Sequence, residues 1–96
     1  MERAVVIARF LETAGWCEAE RKPIAGDASA RRYDRLSKSG GTTAILMDAP
    51  PNTAEDVRPF VALADHLRSI GISAPAILHQ DPDAGLLLIE DFGYAL

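Results

Sequence analysis

Ser39-Gly-Gly-Thr-Thr-Ala-Ile-Leu-Met-Asp-Ala-Pro-Pro51 reads as a turn, a strand and a stop. Glycine reaches positive φ without steric cost, so Gly40 and Gly41 suit a hairpin turn. The apolar run Ala44-Ile-Leu-Met47 that follows has the length of a strand, and Pro50 and Pro51, which cannot donate to a ladder, end it. Toward the N-terminus, Ala30 to Ser37 predicts the strand on the other side of the turn, although Arg31, Arg32, Asp34 and Arg35 spoil its alternation. Lys22 to Ala25 is a short, weakly apolar first strand, joined to the second through Gly26 to Ser29, a segment of turn composition. From Glu2 to Ala14 the apolar residues Val6, Ile7, Phe10, Leu11 and Ala14 recur at helical spacing, and Gly15 follows where a left-handed cap would sit.

After the prolines the pattern predicts a second helix. With Asp56 as N-cap, Pro59 falls at the third helical position, where no intrahelical N–H bond is lost, and Glu55-Asp56 complements the helix dipole. Phe60, Leu63, Ala64 and Leu67 then share one face, Ile70 continues the stripe and Gly71 closes the helix. Ala76-Ile-Leu78 and Leu86-Leu-Leu-Ile89 are two further strands, separated by the turn formers Gln80-Asp-Pro-Asp-Ala-Gly85. The order is helix, three strands, helix, two strands. Hairpins between consecutive strands predict an α+β fold, a five-stranded antiparallel sheet covered by helices on one face, in a single domain spanning 1–96.

Composition narrows the function. A chain of 96 residues with 48% hydrophobic content buries only a modest core. A net charge of -4 without a basic run argues against nucleic acid as partner, and no apolar stretch is long enough for a membrane span. One cysteine, Cys17, forms no internal disulfide, and the N-terminus lacks the pattern of a signal peptide, which together imply a cytoplasmic protein. Cys17 itself is expected to be a small core hydrophobe beside Trp16. His66 and His79 have no partner at metal-ligand spacing, and Asp81-Pro-Asp83 offers too few oxygens for calcium, so no metal site is expected on this chain.

Three motifs in order carry a resemblance. Gly26-Asp-Ala-Ser29 with Arg31-Arg-Tyr33, then Ala44-Ile-Leu-Met-Asp-Ala-Pro-Pro51 with Pro59-Phe-Val61, then Leu87-Leu-Ile-Glu-Asp-Phe-Gly93 resemble the N-terminal lobe and hinge of the aminoglycoside phosphotransferase and choline kinase superfamily. Within it the chain is most similar to bacterial cell-wall amino sugar kinases, which phosphorylate the anomeric hydroxyl of N-acetylmuramate or N-acetylglucosamine. The resemblance implies an ATP-dependent phosphotransferase with magnesium as second cofactor, its ligands in a C-terminal lobe that lies beyond Gly93. No catalytic residue is expected in the 96 residues, which alone should not turn over and should bind nucleotide weakly. The partners implied are nucleotide, a sugar and the absent lobe.

The resemblance also implies site residues. Gly26, Asp27, Ala28 and Ser29 would bring backbone N–H groups over the phosphates. Ile89 would sit behind the adenine, the Glu90 carbonyl would accept from its amino group and the Phe92 N–H would donate to its ring. Leu88 or Phe92 would be exposed on the surface facing the absent lobe. Met47 stands where the family's phosphate-pairing lysine belongs and Phe60 near its partner glutamate, so the phosphate-facing charge must come from elsewhere. Arg32 is the candidate and Arg31 the competitor, since neighbouring strand residues point to opposite faces. The alternative function is a non-catalytic α+β interaction module, or half of a split kinase. ATP and GTP are not distinguished.

Overall fold

In the computed structural model, which describes residues 2–24, 30–54 and 56–92, the elements follow the order expected. Helix α1 (Arg3–Ala14) precedes strands β1 (Glu20–Ile24), β2 (Arg32–Ser37) and β3 (Thr43–Asp48); helix α2 (Arg58–Ser69) precedes β4 (Ile77–Asp81) and β5 (Leu86–Glu90). A single 3-10 turn, Pro82–Ala84, joins the last two strands. The five strands form one antiparallel sheet in the order β1-β2-β3-β5-β4. No helix among the described residues is long and apolar enough to cross a membrane.

The two helices lie on opposite faces of the sheet, not on one. Ile7, Phe10 and Leu11 of α1 pack with Trp16, Leu36, Ala44, Leu46, Leu86 and Leu88. On the other face Tyr33, Ile45, Met47, Ala49, Leu87 and Ile89 form a second cluster with Val57, against which Phe60 and Val61 of α2 pack. β3 and β5 are therefore buried on both sides, from Ala44 to Ala49 and from Leu86 to Ile89. Side chains alternate across a strand, so every second residue of each run feeds a different core.

The turns are built as the glycines suggested. Gly41, at φ 89, returns its N–H to the Lys38 carbonyl at 2.9 Å, and Lys38 donates to the Thr42 carbonyl at 2.9 Å. Gly15 and Gly71, both at φ 83, end their helices. At each end the N–H of the next residue reaches five positions back: Trp16 to the Leu11 carbonyl at 2.8 Å and Ile72 to the Leu67 carbonyl at 2.9 Å, the double closure of a Schellman end.

The start of α2 differs from expectation by one position. Val57 is the N-cap and Pro59 the second helical residue, while the Asp56 carboxylate still accepts from the Arg58 N–H at 3.0 Å. Val57 is displaced from solvent to 1% exposure, and burying that side chain fixes where the helix begins. The inward face rotates accordingly to Val57, Phe60, Val61 and Ala64, leaving Leu63 58% exposed. Cys17 is exposed and Trp16 is the buried member of the pair, with the Lys38 ammonium 4.1 Å above its ring. The last hairpin is tighter than expected, since Gln80 and Asp81 belong to β4. A register shift between Ile77 and His79 turns the intervening Leu78 outward, at 50% exposure.

Candidate functional site

Strand pairing fixes what lies beside what on the α2 side of the sheet. Tyr33 of β2 is opposite Met47 of β3, which is opposite Leu87 of β5; one row further along, Arg35 is opposite Ile45 and Ile45 opposite Ile89. Met47 is 1% exposed in the cluster against which Phe60 packs, so an apolar contact occupies the place where a lysine and a glutamate were looked for. A lone charge at such a depth costs several kcal/mol, whereas an apolar replacement of both partners is nearly neutral.

The last strand and the two residues after it bring three candidate residues to one end of the sheet. Ile89 is buried in the cluster. Glu90 is half-buried, its N–H donating to the Ala76 carbonyl at 2.9 Å and its Oε1 accepting from the Ala76 N–H at 3.1 Å. Phe92 is 40% exposed, whereas Leu88, expected among the exposed groups, is 1% exposed because its side belongs to the α1 core. Asp91 lies between Glu90 and Phe92, and its side chain is only 4% exposed. It accepts from Arg35 through two prongs, Nε to Oδ2 at 2.9 Å and Nη2 to Oδ1 at 3.4 Å.

Gly26, Asp27, Ala28 and Ser29 lie outside the described residues. Arg32 is described. It opens β2 opposite Asp48, on the α1 side of the sheet, and its side chain has no hydrogen-bond or ion-pair partner among the described residues. A groove of about 930 Å³ wraps this end of the strands, from Tyr33 and Ile24 on the Met47 side round to Arg3 and Ile7 of α1. Among the described residues four arginines (3, 21, 31 and 32) line it, with two aspartates, Asp34 and Asp48. Both aspartates are engaged: Arg3 binds Asp48 at 2.6 Å and Arg21 reaches Asp34 at 3.4 Å. Arginines thus outnumber aspartates among the described lining residues, a composition that favours an anion. Among the described residues no three His, Cys, Asp or Glu side chains converge to hold a metal ion.

The two ends are connected. Arg32 pairs with Asp48, which pairs with Leu86, four residues before Glu90 on β5. At roughly 3.3 Å per residue the basic end and the Glu90 end are about 13 Å apart along the strand, comparable with an extended nucleoside triphosphate. The groove's other arginines and the Arg35 to Asp91 pair were not singled out in the sequence. Alternation alone puts Arg35 on the side opposite Arg32, but its partner, 56 positions away, leaves no local signal.

Comparison with known proteins gives this arrangement a lineage. A model of the phosphotransferase enzyme family matches residues 20–96, from the first residue of β1 onward. The chain belongs to that family. It is 46% identical to an N-acetylmuramate/N-acetylglucosamine kinase of Pseudomonas aeruginosa, over 82% of this chain and 24% of that protein. A protein of the same description from Caulobacter vibrioides is 35% identical over 96% of the chain and 32% of its own length, and one from Pseudomonas putida is 45% identical over 70% and 19%. This phosphotransferase-family chain thus spans about a quarter to a third of the first two relatives, and the family match takes in its five-stranded sheet with the helix between β3 and β4.

Proposed function

We propose that the chain is the N-terminal, nucleotide-binding lobe of an ATP-dependent phosphotransferase acting on an amino sugar. The observation that carries the reading is the 46% identity to an N-acetylmuramate/N-acetylglucosamine kinase over 82% of the chain. Geometry supports it. The purine lies against the Ile89 end of the sheet, with the Glu90 carbonyl accepting from its amino group and the Phe92 N–H donating to its ring. The triphosphate runs along the strands toward the rim where the groove turns past Arg31 and Arg32. Backbone N–H groups of Gly26, Asp27, Ala28 and Ser29 are the ones that would meet the phosphates, and Arg32 supplies the charge that Met47 does not.

In the reaction, a sugar hydroxyl oxygen forms a bond to the γ-phosphorus, the bond from that phosphorus to the β-γ bridging oxygen breaks, ADP leaves and the hydroxyl proton is released to a base. That transition state asks the protein for positioning and charge rather than covalent chemistry. This chain contributes the hold on the nucleotide. No three His, Cys, Asp or Glu side chains converge among the described residues, and magnesium would take its protein ligands from the remainder of the enzyme. The base and the sugar contacts fall to the remainder of the enzyme, and the protein works in the cytoplasm, where ATP is abundant.

The test is turnover by the protein encoded by the complete reading frame, given ATP and either N-acetylglucosamine or N-acetylmuramate. ADP and a phosphorylated sugar are expected in equal amounts. Nucleotide binding without product from either sugar would replace the kinase reading with a non-catalytic one. Arg32→Ala in that protein should raise KM for ATP about tenfold, roughly 1.4 kcal/mol of lost binding. An unchanged KM and kcat would remove Arg32 from the phosphate role and leave Arg31 as the candidate.

A further inference from the structure

The Asp91 carboxylate is nearly withdrawn from solvent at the end of β5, in a segment where a strand has just finished and polar side chains ordinarily face water. It is held by a two-pronged bond from Arg35 on β2, across the intervening β3. Such fork-to-fork geometry fixes orientation as well as distance, which a single-point contact does not. We propose that Arg35 is a positioning residue for purine recognition, acting through Asp91.

The argument is local. Glu90 and Phe92 flank Asp91, so the peptide plane carrying the Glu90 carbonyl and the plane carrying the Phe92 N–H both pivot on the Asp91 Cα. Anchoring the Asp91 side chain sets both planes at once. The other edge of the segment is tied as well: the Glu90 carboxylate accepts from the Ala76 N–H at 3.1 Å and lies 3.6 Å from Arg68 of α2. The backbone between Glu90 and Phe92 is therefore stretched between β2 on one side and the approach to β4 on the other. Because β2 is also the strand that begins at Arg32, the Arg35 to Asp91 bond links the strand that meets the phosphates to the backbone that meets the purine.

The inference rests on the nucleotide reading above, and the experiment separates the two. Using the complete polypeptide, amide hydrogen exchange of residues 86–92 is followed with and without ATP, and steady-state constants are measured for wild type, Asp91→Asn and Arg35→Lys. Asp91→Asn weakens the charged prongs at nearly constant volume and should raise KM for ATP about tenfold. KM for the sugar and kcat should stay within twofold. Arg35→Lys keeps the charge but loses the fork, and should raise KM for ATP about threefold, which gives a second readout should the Asn variant not fold. A folded Asp91→Asn, or, should it not fold, a folded Arg35→Lys, that keeps KM for ATP within twofold while wild type shows ATP protection at 86–92 would overturn the positioning role and leave the nucleotide reading standing. No protection in wild type would overturn the nucleotide reading and this inference with it. Equal rises in KM for ATP and for the sugar would mean that the pair supports the fold in general, and would also overturn it.

Discussion

Gly85 is the described glycine with the least room for a side chain. Its φ is 68, and a Cβ added there would lie 1.9 Å from the Ala49 carbonyl oxygen, which is backbone and cannot swing aside. The same approach lets the Ala49 N–H donate to the Gly85 carbonyl at 2.8 Å, extending the β3 to β5 ladder beyond its last strand pair. Gly85→Ala combines a left-handed penalty with overpacking, and should cost about 3 kcal/mol or more, read as a lower midpoint in urea. Arg3 is the second such point. Its guanidinium binds Asp48 twice, at 2.6 and 2.9 Å, and donates to the Ala84 carbonyl at 2.6 Å, closing α1 onto the end of the sheet. Arg3→Met should destabilise by about 1 to 3 kcal/mol, because it leaves the mostly buried Asp48 carboxylate without that partner. A change below about 0.5 kcal/mol in the same urea titration would contradict that account. Neither effect is legible locally: the glycine was read as a turn former, while its collision with Ala49 depends on a strand pairing that only the folded chain provides.

At the scale of elements, strand order and hairpins followed from punctuation. Gly15, Gly41, Gly71, Pro50 and Pro51 each sit where the backbone needs them. The two-sided sheet was missed, although a signal existed: Ala44-Ile-Leu-Met47 and Leu86-Leu-Leu-Ile89 do not alternate, and an unbroken apolar run asks for cover on both faces. The helical stripe was misplaced for a related reason. Leu63 and Ala64 both satisfy the helical period, and only docking decides between them, because Val57 enters the core before the first turn. Substitutions on α2 should report this choice. Val57→Ala should cost about 2 kcal/mol as a buried truncation, whereas Leu63→Glu, on the exposed side, should stay within about 0.5 kcal/mol. Paired thermal or chemical unfolding curves check it; a larger loss at Leu63 would mean that this side of α2 is covered.

On the scale of the whole molecule, the sheet divides its labour by face and by end. The α1 side is a closed core with a basic rim, the α2 side is a core in which Met47 and Phe60 leave no place for an ion pair, and the Glu90 to Phe92 backbone lies about 13 Å along the strands from that rim. The three motifs were readable because their parts are short runs close together in sequence. The groove and the Arg35 to Asp91 bond were not, since they join residues from distant parts of the chain. The central claim is that a nucleotide spans those two ends, and amide exchange on the complete polypeptide with a non-hydrolysable ATP analogue tests it most directly. The account predicts slowed exchange at both 30–34 and 86–92, with the exposed Leu63, Asp65 and His66 of α2 unaffected; protection confined to α2, or none in either strand segment, would contradict it.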